Sequence, residues 1–458
     1  MQIQLPEKVS YILERLHKSG YEAYAVGGCV RDALLGREPE DWDITTSAKP
    51  EEVKVLFSRT LDTGLQHGTV TVMLDKEGFE VTTYRIDGEY TDGRHPKEVA
   101  FTSDLLEDLK RRDFTINAMA YNETEGLVDA FDGAGDLKRG IIQCVGNALE
   151  RFQEDALRIL RAVRFAAQLD FQIETKTREA IEALAGNLEQ ISAERIRVEL
   201  DKLLCSKHPE RLLLAKELGV TKVVLPEFDA MVETAQVHPH HMYDVGRHCL
   251  MSVAQMHEIA EREAVDKKMY AMLSWTMLLH DVAKPDCVTI DAEGITHFHG
   301  HAQKGKEMVK AILRRLRFDN CTLHFVTHLI EYHDYRCNGQ KKNMRKMMNK
   351  IGEDYMPFLF MVQEADFMAQ SMYKREEKRK QLQACQSLYG EILSDKECVS
   401  LKTLAVNGST LIANGFPKGK EIGEILEFLL QLVLEQPECN EEEYLLAQAK
   451  KHFSAYME

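Results

Sequence analysis

Two aspartates separated by one residue, Asp41 and Asp43, follow a Gly27-Gly28 pair and an Arg31-Asp32 pair in the stretch GGCVRDALLGREPEDWD at 27–43. Carboxylates at positions i and i+2 of a strand point to one face. Such a pair can share one or two hard divalent cations, which is what in-line displacement at a nucleotide phosphate requires. Glycines let backbone amides approach a triphosphate with no Cβ in the way. Singly these are weak signals, because most Asp-x-Asp sequences are solvated turns and most Gly-Gly pairs are only turns. Their order strengthens them: the apolar run Ala-Tyr-Ala-Val at 23–26 precedes the glycines, and Arg31-Asp32-Ala-Leu-Leu reads as the start of a helix. The stretch predicts a nucleotidyl-transfer site with Asp41 and Asp43 as Mg²⁺ ligands. Residues 80–85, EVTTYR, alternate as a strand does, so Glu80 is either a third carboxylate beside the pair or an exposed strand residue.

This layout resembles the nucleotidyltransferase superfamily that contains polymerase beta. Within it, the likeness is to the class of bacterial-type (class II) tRNA nucleotidyltransferases, or CCA-adding enzymes, and poly(A) polymerases. Residues 111–119, RRDFTINAM, are similar to that family's second signature. The resemblance implies that Arg112, Asp113 and Asn117 face ribose and triphosphate, alongside Gly27, Gly28, Arg31 and Asp32. Residues 129–137, DAFDGAGDL, look like its hinge-like connector, and 154–164, EDALRILRAVR, like a fourth signature. Ser192 followed by AERIRVELDKLL resembles a fifth.

The fourth signature also carries a chemical reading. Asp155 and Arg158 lie three apart on what the spacing of Ala156, Leu157, Ile159, Leu160, Val163 and Phe165 predicts is a helix, so they are neighbours. A carboxylate accepts and a guanidinium donates. Cytosine and adenine both present an amine donor beside a ring-nitrogen acceptor, whereas guanine and uracil present the reverse order. An Asp-Arg pair therefore accepts C and A and rejects G and U. The plainer alternative is a surface ion pair worth a few tenths of a kcal/mol. Arg161 and Arg164 continue the basic face toward triphosphate or primer.

A second constellation begins with His248 on an amphipathic helix, continues with Leu-Leu-His280-Asp281-Val-Ala-Lys-Pro, and ends with Asp366 in Gln-Glu-Ala-Asp-Phe. This order resembles the metal site of HD-domain phosphohydrolases, in which imidazoles and carboxylates from separate helices hold one or two divalent metals. His299, His301, His328 and His333 are further candidates, with His301 and His333 favoured as second-metal ligands; the HD-type site would hold a divalent metal (Mn, Ni, Co or Mg) besides the Mg²⁺ of Asp41 and Asp43.

The elements that must position these groups follow from composition and periodicity. At 458 residues, 44% hydrophobic and 29% charged, the chain is long enough for several domains. No apolar run reaches about 18 residues, which excludes a membrane span, and the amino end lacks a secretory apolar core. Ten cysteines are scattered without CxxC spacing, as for reduced thiols in a cytoplasm. The net charge of −16 is unusual for an RNA partner, but 301–350 holds 12 Lys or Arg against 4 Asp or Glu, and Lys374–Lys380 adds a cluster. A basic stripe on an acidic body is the expectation. The fold class expected is α+β: a polymerase-beta-like head with a small mixed sheet over 1–145, an all-α neck over 146–235, an HD-type helical body over 236–370 and a helical tail over 371–458. A helix ending at Gly20 opens the head. Residues 85–109, polar and Gly-rich, should be a loop beside the site, resembling the flexible loop of CCA-adding members.

The resemblance implies Mg²⁺-dependent, template-independent addition of CCA to tRNA from CTP and ATP. Its alternatives are partial CC- or A-addition, poly(A) polymerisation, an HD-type phosphohydrolase carried by His280 and Asp281, and a non-catalytic RNA-binding module.

Overall fold

Helix α1 (Glu7–Lys18) forms because Val9, Ile12, Leu13 and Leu16 recur at helical spacing and bury one stripe, and it stops where Gly20 takes φ +86°. The computed structural model describes residues 2–87 and 99–456. The chain divides into two compact units, Met1–Asp229 and Ala230–Glu458.

The first unit is built on a seven-stranded mixed sheet. Its strands are β1 (Ala23–Val26), β2 (Ile44–Thr46), β3 (Thr60–Gly64), β4 (Thr69–Leu74) and β5 (Glu77–Thr83), and then β8 (Ala120–Asn122) and β9 (Gly126–Val128), in the order β3-β4-β5-β2-β1-β8-β9. Between them β6 (Arg85–Asp87) pairs antiparallel with β7 (Val99–Phe101) as a separate ribbon. The one parallel pairing within the large sheet joins β2 to β5, with Ile44 opposite Val81. Every residue of β1 and β2 is buried, which is why Ala-Tyr-Ala-Val reads as an unbroken apolar run. Tyr24, Val26, Tyr84, Leu105, Leu109 and Ala120 form a core cluster under the sheet.

Helix α2 (Gly28–Leu34) follows β1, α3 (Pro50–Leu56) follows β2, and α4 (Leu105–Lys110) starts where Asp104 accepts a hydrogen bond from the Leu106 amide. The loop expected over 85–109 is thus shorter, because its flanks are taken by the ribbon and α4. Its centre, 88–98, lies outside the described residues. Beyond α5 (Gly133–Arg139) the unit is helical: α6 (Ala148–Glu154), α7 (Leu157–Leu169), α8 (Thr175–Leu184) and α9 (Ala193–Leu204). The expected all-α neck is interrupted only by a two-residue parallel pair, Ile141–Ile142 with Gln172–Ile173.

Among its described residues the second unit is helical apart from a short antiparallel pair, Thr289–Ile290 with Thr296–His297. The helices Val245–Arg262, Lys267–Leu279 and Met356–Ala369 pack on one another. Met272 to Leu279 is buried without a break, so periodicity there is blurred although the helix is real. The ten cysteines are free thiols.

Candidate functional site

Asp41 and Asp43 stand in the three residues that lead into β2, one step before the strand itself. Strand-like pairing nevertheless extends back to Asp43, whose carbonyl accepts from the Val26 amide at 3.0 Å. Because Ile44 faces Val81, the residues just before them, Asp43 and Glu80, share the opposite face of neighbouring strands. Both carboxyls are held above their ordinary range, chiefly by desolvation. Asp41 adds repulsion to each, and the Arg112 guanidinium pulls Asp43 the other way. Three carboxylates that repel one another beside solvent suit a hard divalent cation, which would relieve that repulsion.

The glycine turn stands next to them. Gly27 has φ +83°, a conformation that favours glycine, and a Cβ there would lie 3.0 Å from Arg112 Nη1, so the Arg112 guanidinium packs against the turn. Arg31 is 9% exposed. Its Nη2 donates to Asp32 Oδ2 at 2.8 Å, and its Nη1 donates to Asn117 Oδ1 at 2.7 Å. Asn117 Nδ2 donates onward to Asp113 Oδ1 at 3.1 Å, and Arg161 Nε donates to Asp113 Oδ2 at 2.8 Å. Burial disfavours the Asp113 charge, yet Arg161 and Asn117 outweigh it and bring the pKa down to about 2. Arg31, Arg161 and Arg164 all lie over the Phe165 ring, at 5.0, 5.4 and 3.9 Å from its centroid. Residues from the first, second and fourth signatures thus form one polar network.

Asp155 and Arg158 differ from expectation. The helix breaks between α6 and α7, and Asp155 is extended (φ −143°, ψ 103°) rather than helical. Its Oδ1 accepts from the Leu157 amide at 3.0 Å and its Oδ2 from Arg195 Nη2 at 2.7 Å. Arg158 donates instead to Glu154 Oε2 at 2.6 Å and to the Arg111 carbonyl at 3.0 Å. The two therefore do not form the i,i+3 side-chain pair that the apolar spacing suggested. An Asp before a helix prefers to cap the new amides, which local spacing does not reveal. Arg164 Nε sits 2.6 Å from the buried Glu199 Oε2, and burial lowers its pKa to about 10.

In the second unit the imidazoles and acids do converge. Ligand-capable atoms of His248, His280 and Asp281 lie within 4.8 Å of one another, as do those of Asp281, His301 and His333. Asp366 joins the first group, with Oδ1 3.1 Å from His248 Nε2. His280, His301 and His333 each use Nδ1 against a carbonyl, of Met277, Phe298 and Ile330 respectively, at 2.7 to 2.8 Å. That arrangement directs Nε2 of each ring inward, the usual second-shell orientation of metal-binding histidine. His280 Nε2 is buried and makes no hydrogen bond, although Asp281 Oδ2 is 3.2 Å away. The donor set fits a divalent transition metal. His299 stacks on His297 at the wall of the adjoining cleft, and His328 is turned away to the Ile351 carbonyl at 2.6 Å. His328 is therefore no part of the cluster.

Three family models match this chain. The poly(A) polymerase head domain covers 23–143, the "Probable RNA and SrmB- binding site of polymerase A" covers 170–232, and tRNA nucleotidyltransferase domain 2 covers 288–449. A CCA-adding enzyme of Bacillus stearothermophilus, solved in complex with CTP, superposes with TM-score 0.71 at 28% identity over 99% of both chains. Over these segments and in its fold the chain is similar to class II CCA-adding enzymes and poly(A) polymerases. Among curated relatives, the CCA-adding enzyme of Lactiplantibacillus plantarum is 54% identical over 198 residues, 43% of this chain and 49% of the relative. That of Lactobacillus delbrueckii subsp. bulgaricus is 56% identical over 196 residues, 43% and 50%. The matched part therefore spans about half the length of these relatives. A Thermotoga maritima CCA-adding enzyme complexed with tRNA shares the fold, at TM-score 0.57 and 22% identity.

Several partners of the site residues are not evident from the sequence. Glu154, Arg195 and Glu199 were visible only as parts of signatures, yet they hold Arg158, Asp155 and Arg164. In the second unit, Lys284 Nζ lies 2.7 Å from Asp281 Oδ2, and Asp334 Oδ2 lies 3.2 Å from His301 Nε2. The second His-Asp dipeptide, His333-Asp334, was the available signal. At least six of the twelve cations expected to form a basic stripe in 301–350 are engaged in ion pairs. Lys304 pairs with Asp286, Lys306 with Glu331, Lys341 with Asp395, Arg345 with Glu397, and both Lys342 and Lys346 with Glu435. Charge counted along 301–350 missed Asp286, Asp395, Glu397 and Glu435, which come from outside that segment.

Proposed function

We propose that this chain adds CCA to the 3′ end of tRNA without a nucleic-acid template, consuming CTP and ATP and releasing pyrophosphate. The observation that carries the reading is the meeting of Asp43 and Glu80 on one sheet face, with Asp41 beside them and the Gly27 turn and Arg112 at hand. Relatives named CCA-adding enzymes, one of them solved with CTP and another with tRNA, support it. Asp41 and Asp43 would hold Mg²⁺, with Glu80 as the third acidic group. When bound, the metal lowers the pKa of the primer 3′ hydroxyl and offsets charge on the departing pyrophosphate. Gly27, Gly28, Arg31, Asp32, Arg112, Asp113 and Asn117 orient the triphosphate and ribose. Arg161 and Arg164 fix that network from α7. Asp155 and Arg158 read the base edge, and to do so they exchange Arg195 and Glu154 for the amine and ring nitrogen of C or A.

Residues 1–145 supply the chemistry, 146–235 the base-reading helices, and 236–370 and 371–458 the body and tail that meet tRNA. No helix among the described residues is long and apolar enough to cross a membrane, and the free thiols agree with a cytoplasmic setting. A second reading, favoured by the His248, His280, Asp281, Asp366 group and by His301 and His333, is an HD-type metal-dependent phosphohydrolase, additional to the transferase.

The test supplies tRNAs ending in the discriminator base, in C and in CC, with CTP and ATP separately and together, and sequences the 3′ ends. The expected products stop at CCA. Termination at CC with both nucleotides present indicates partial addition, and long A tails on non-tRNA primers indicate a poly(A) polymerase.

A further inference from the structure

Asp108 lies in α4 with 0% exposure, a costly place for a carboxylate. Its Oδ1 accepts from the Arg85 amide at 3.3 Å and from Arg111 Nε and Nη2 at 2.9 and 2.7 Å. Its Oδ2 accepts from Thr45 Oγ1 at 3.2 Å and from Arg112 Nη2 at 3.4 Å. One side chain therefore ties together β2, the start of β6 and two adjacent arginines. Burial opposes its ionisation, but the two guanidiniums hold it below the ordinary carboxylate range.

Where those partners lead is informative. Thr45 is two residues past Asp43 and so points to the same side of β2. Arg112 reaches the Gly27 turn, with Nη1 3.0 Å from the place a Cβ would occupy. A long arginine side chain loses much rotamer freedom when it must wait in one geometry for a triphosphate, and two adjacent like charges would spread apart. A buried acid between them removes both difficulties before nucleotide arrives.

We infer that Asp108 is a positioning residue for nucleotide binding: it holds Arg112 against the Gly27 turn and, through Thr45, fixes that guanidinium relative to the Asp43 strand. It contacts neither nucleotide nor metal itself. The inference rests on the reading of Arg112 as a triphosphate contact.

The experiment is a double-mutant cycle with Asp108→Asn, Arg112→Ala and the pair, reading CTP affinity by calorimetry, KM and kcat for incorporation, and the thermal midpoint. Asp108→Asn should weaken CTP binding and raise KM on the order of tenfold, with a smaller change in kcat and unaltered tRNA affinity. In the Arg112→Ala background the same change should cost less than about twofold, because its target is gone. If Asp108→Asn does not fold, Thr45→Val is read through the same cycle, with an expected loss of roughly threefold in the wild-type background. Equal losses in both backgrounds that track the folded fraction, or unchanged CTP affinity in a folded variant, overturn the inference. A wild-type chain that binds CTP without incorporating it would defeat the transferase reading while leaving the calorimetric cycle decisive for Asp108. A chain that binds no CTP overturns both.

Discussion

The acidic site of the first unit and the imidazole cluster of the second are both arrays of potential metal ligands, yet their surroundings are opposite. Asp41, Asp43 and Glu80 reach solvent, and their carboxyls repel one another. Asp281 is buried, with Lys284 at 2.7 Å and four histidines within 3.7 Å. Its charge is balanced by the protein, and its pKa is held well down by His280 and Lys284 in spite of burial. An unbalanced acidic group on an open face suits a cation that arrives with a polyanionic substrate. A balanced, buried group with imidazoles pre-turned by backbone carbonyls suits a resident ion.

That contrast can be broken most forcefully at Asp43. Asp43→Ala should lower CMP and AMP incorporation on the order of a thousandfold while tRNA affinity, read by filter binding, stays within about twofold. Retained incorporation would mean that the open site is not where the metal acts. The network behind it can be probed by pH. The Asp113 pKa is depressed in the folded chain to about 2, so its contribution is full above the ordinary carboxylate value and is lost as pH falls through about 2. Acid titration of unfolding should therefore show Asp113→Asn losing about 2 kcal/mol near neutrality, with the gap from wild type closing toward pH 2. A gap independent of pH would assign the loss to packing.

Smaller in size is the effect expected on nucleotide choice. Asp155→Ala should reduce discrimination against UTP and GTP roughly tenfold, since an acid facing a carbonyl is no longer there to reject them. Unchanged selectivity in a competition assay rejects the base-reading role. The smallest effect sharpens the comparison from the other side: His280→Ala should leave CCA addition within about twofold while abolishing divalent-metal uptake by the second unit, measured by elemental analysis. Loss of CCA addition would make the two regions one system.

Much of the first unit was legible because its chemistry is local. Val26, Gly27 and the α2 start lie in consecutive positions, and the β2–β5 register follows from alternation once the strands pair. Asp155 was misplaced because an apolar helical stripe continues across the break between α6 and α7, and hydrophobic period does not register a cap. Asp108, Glu199 and Asp334 were missed for a related reason. Each is defined by partners from other elements, and a single sequence shows only the residue types. The pairing of part of the expected basic stripe was hidden likewise, because Glu397 and Glu435 are distant in sequence from the lysines and arginine they meet. The histidine cluster was legible in composition, but which rings join it depends on helix rotation, and His328 faces elsewhere.

The most direct measurement is the anomalous difference density of a crystal grown with Mn²⁺ and a non-hydrolysable CTP analogue. This account predicts a peak shared by Asp41 and Asp43, with the triphosphate running over the Gly27 turn toward Arg112. Mn²⁺ confined to the His280 and Asp281 cluster, with the nucleotide elsewhere or the two aspartates turned away from it, would contradict it.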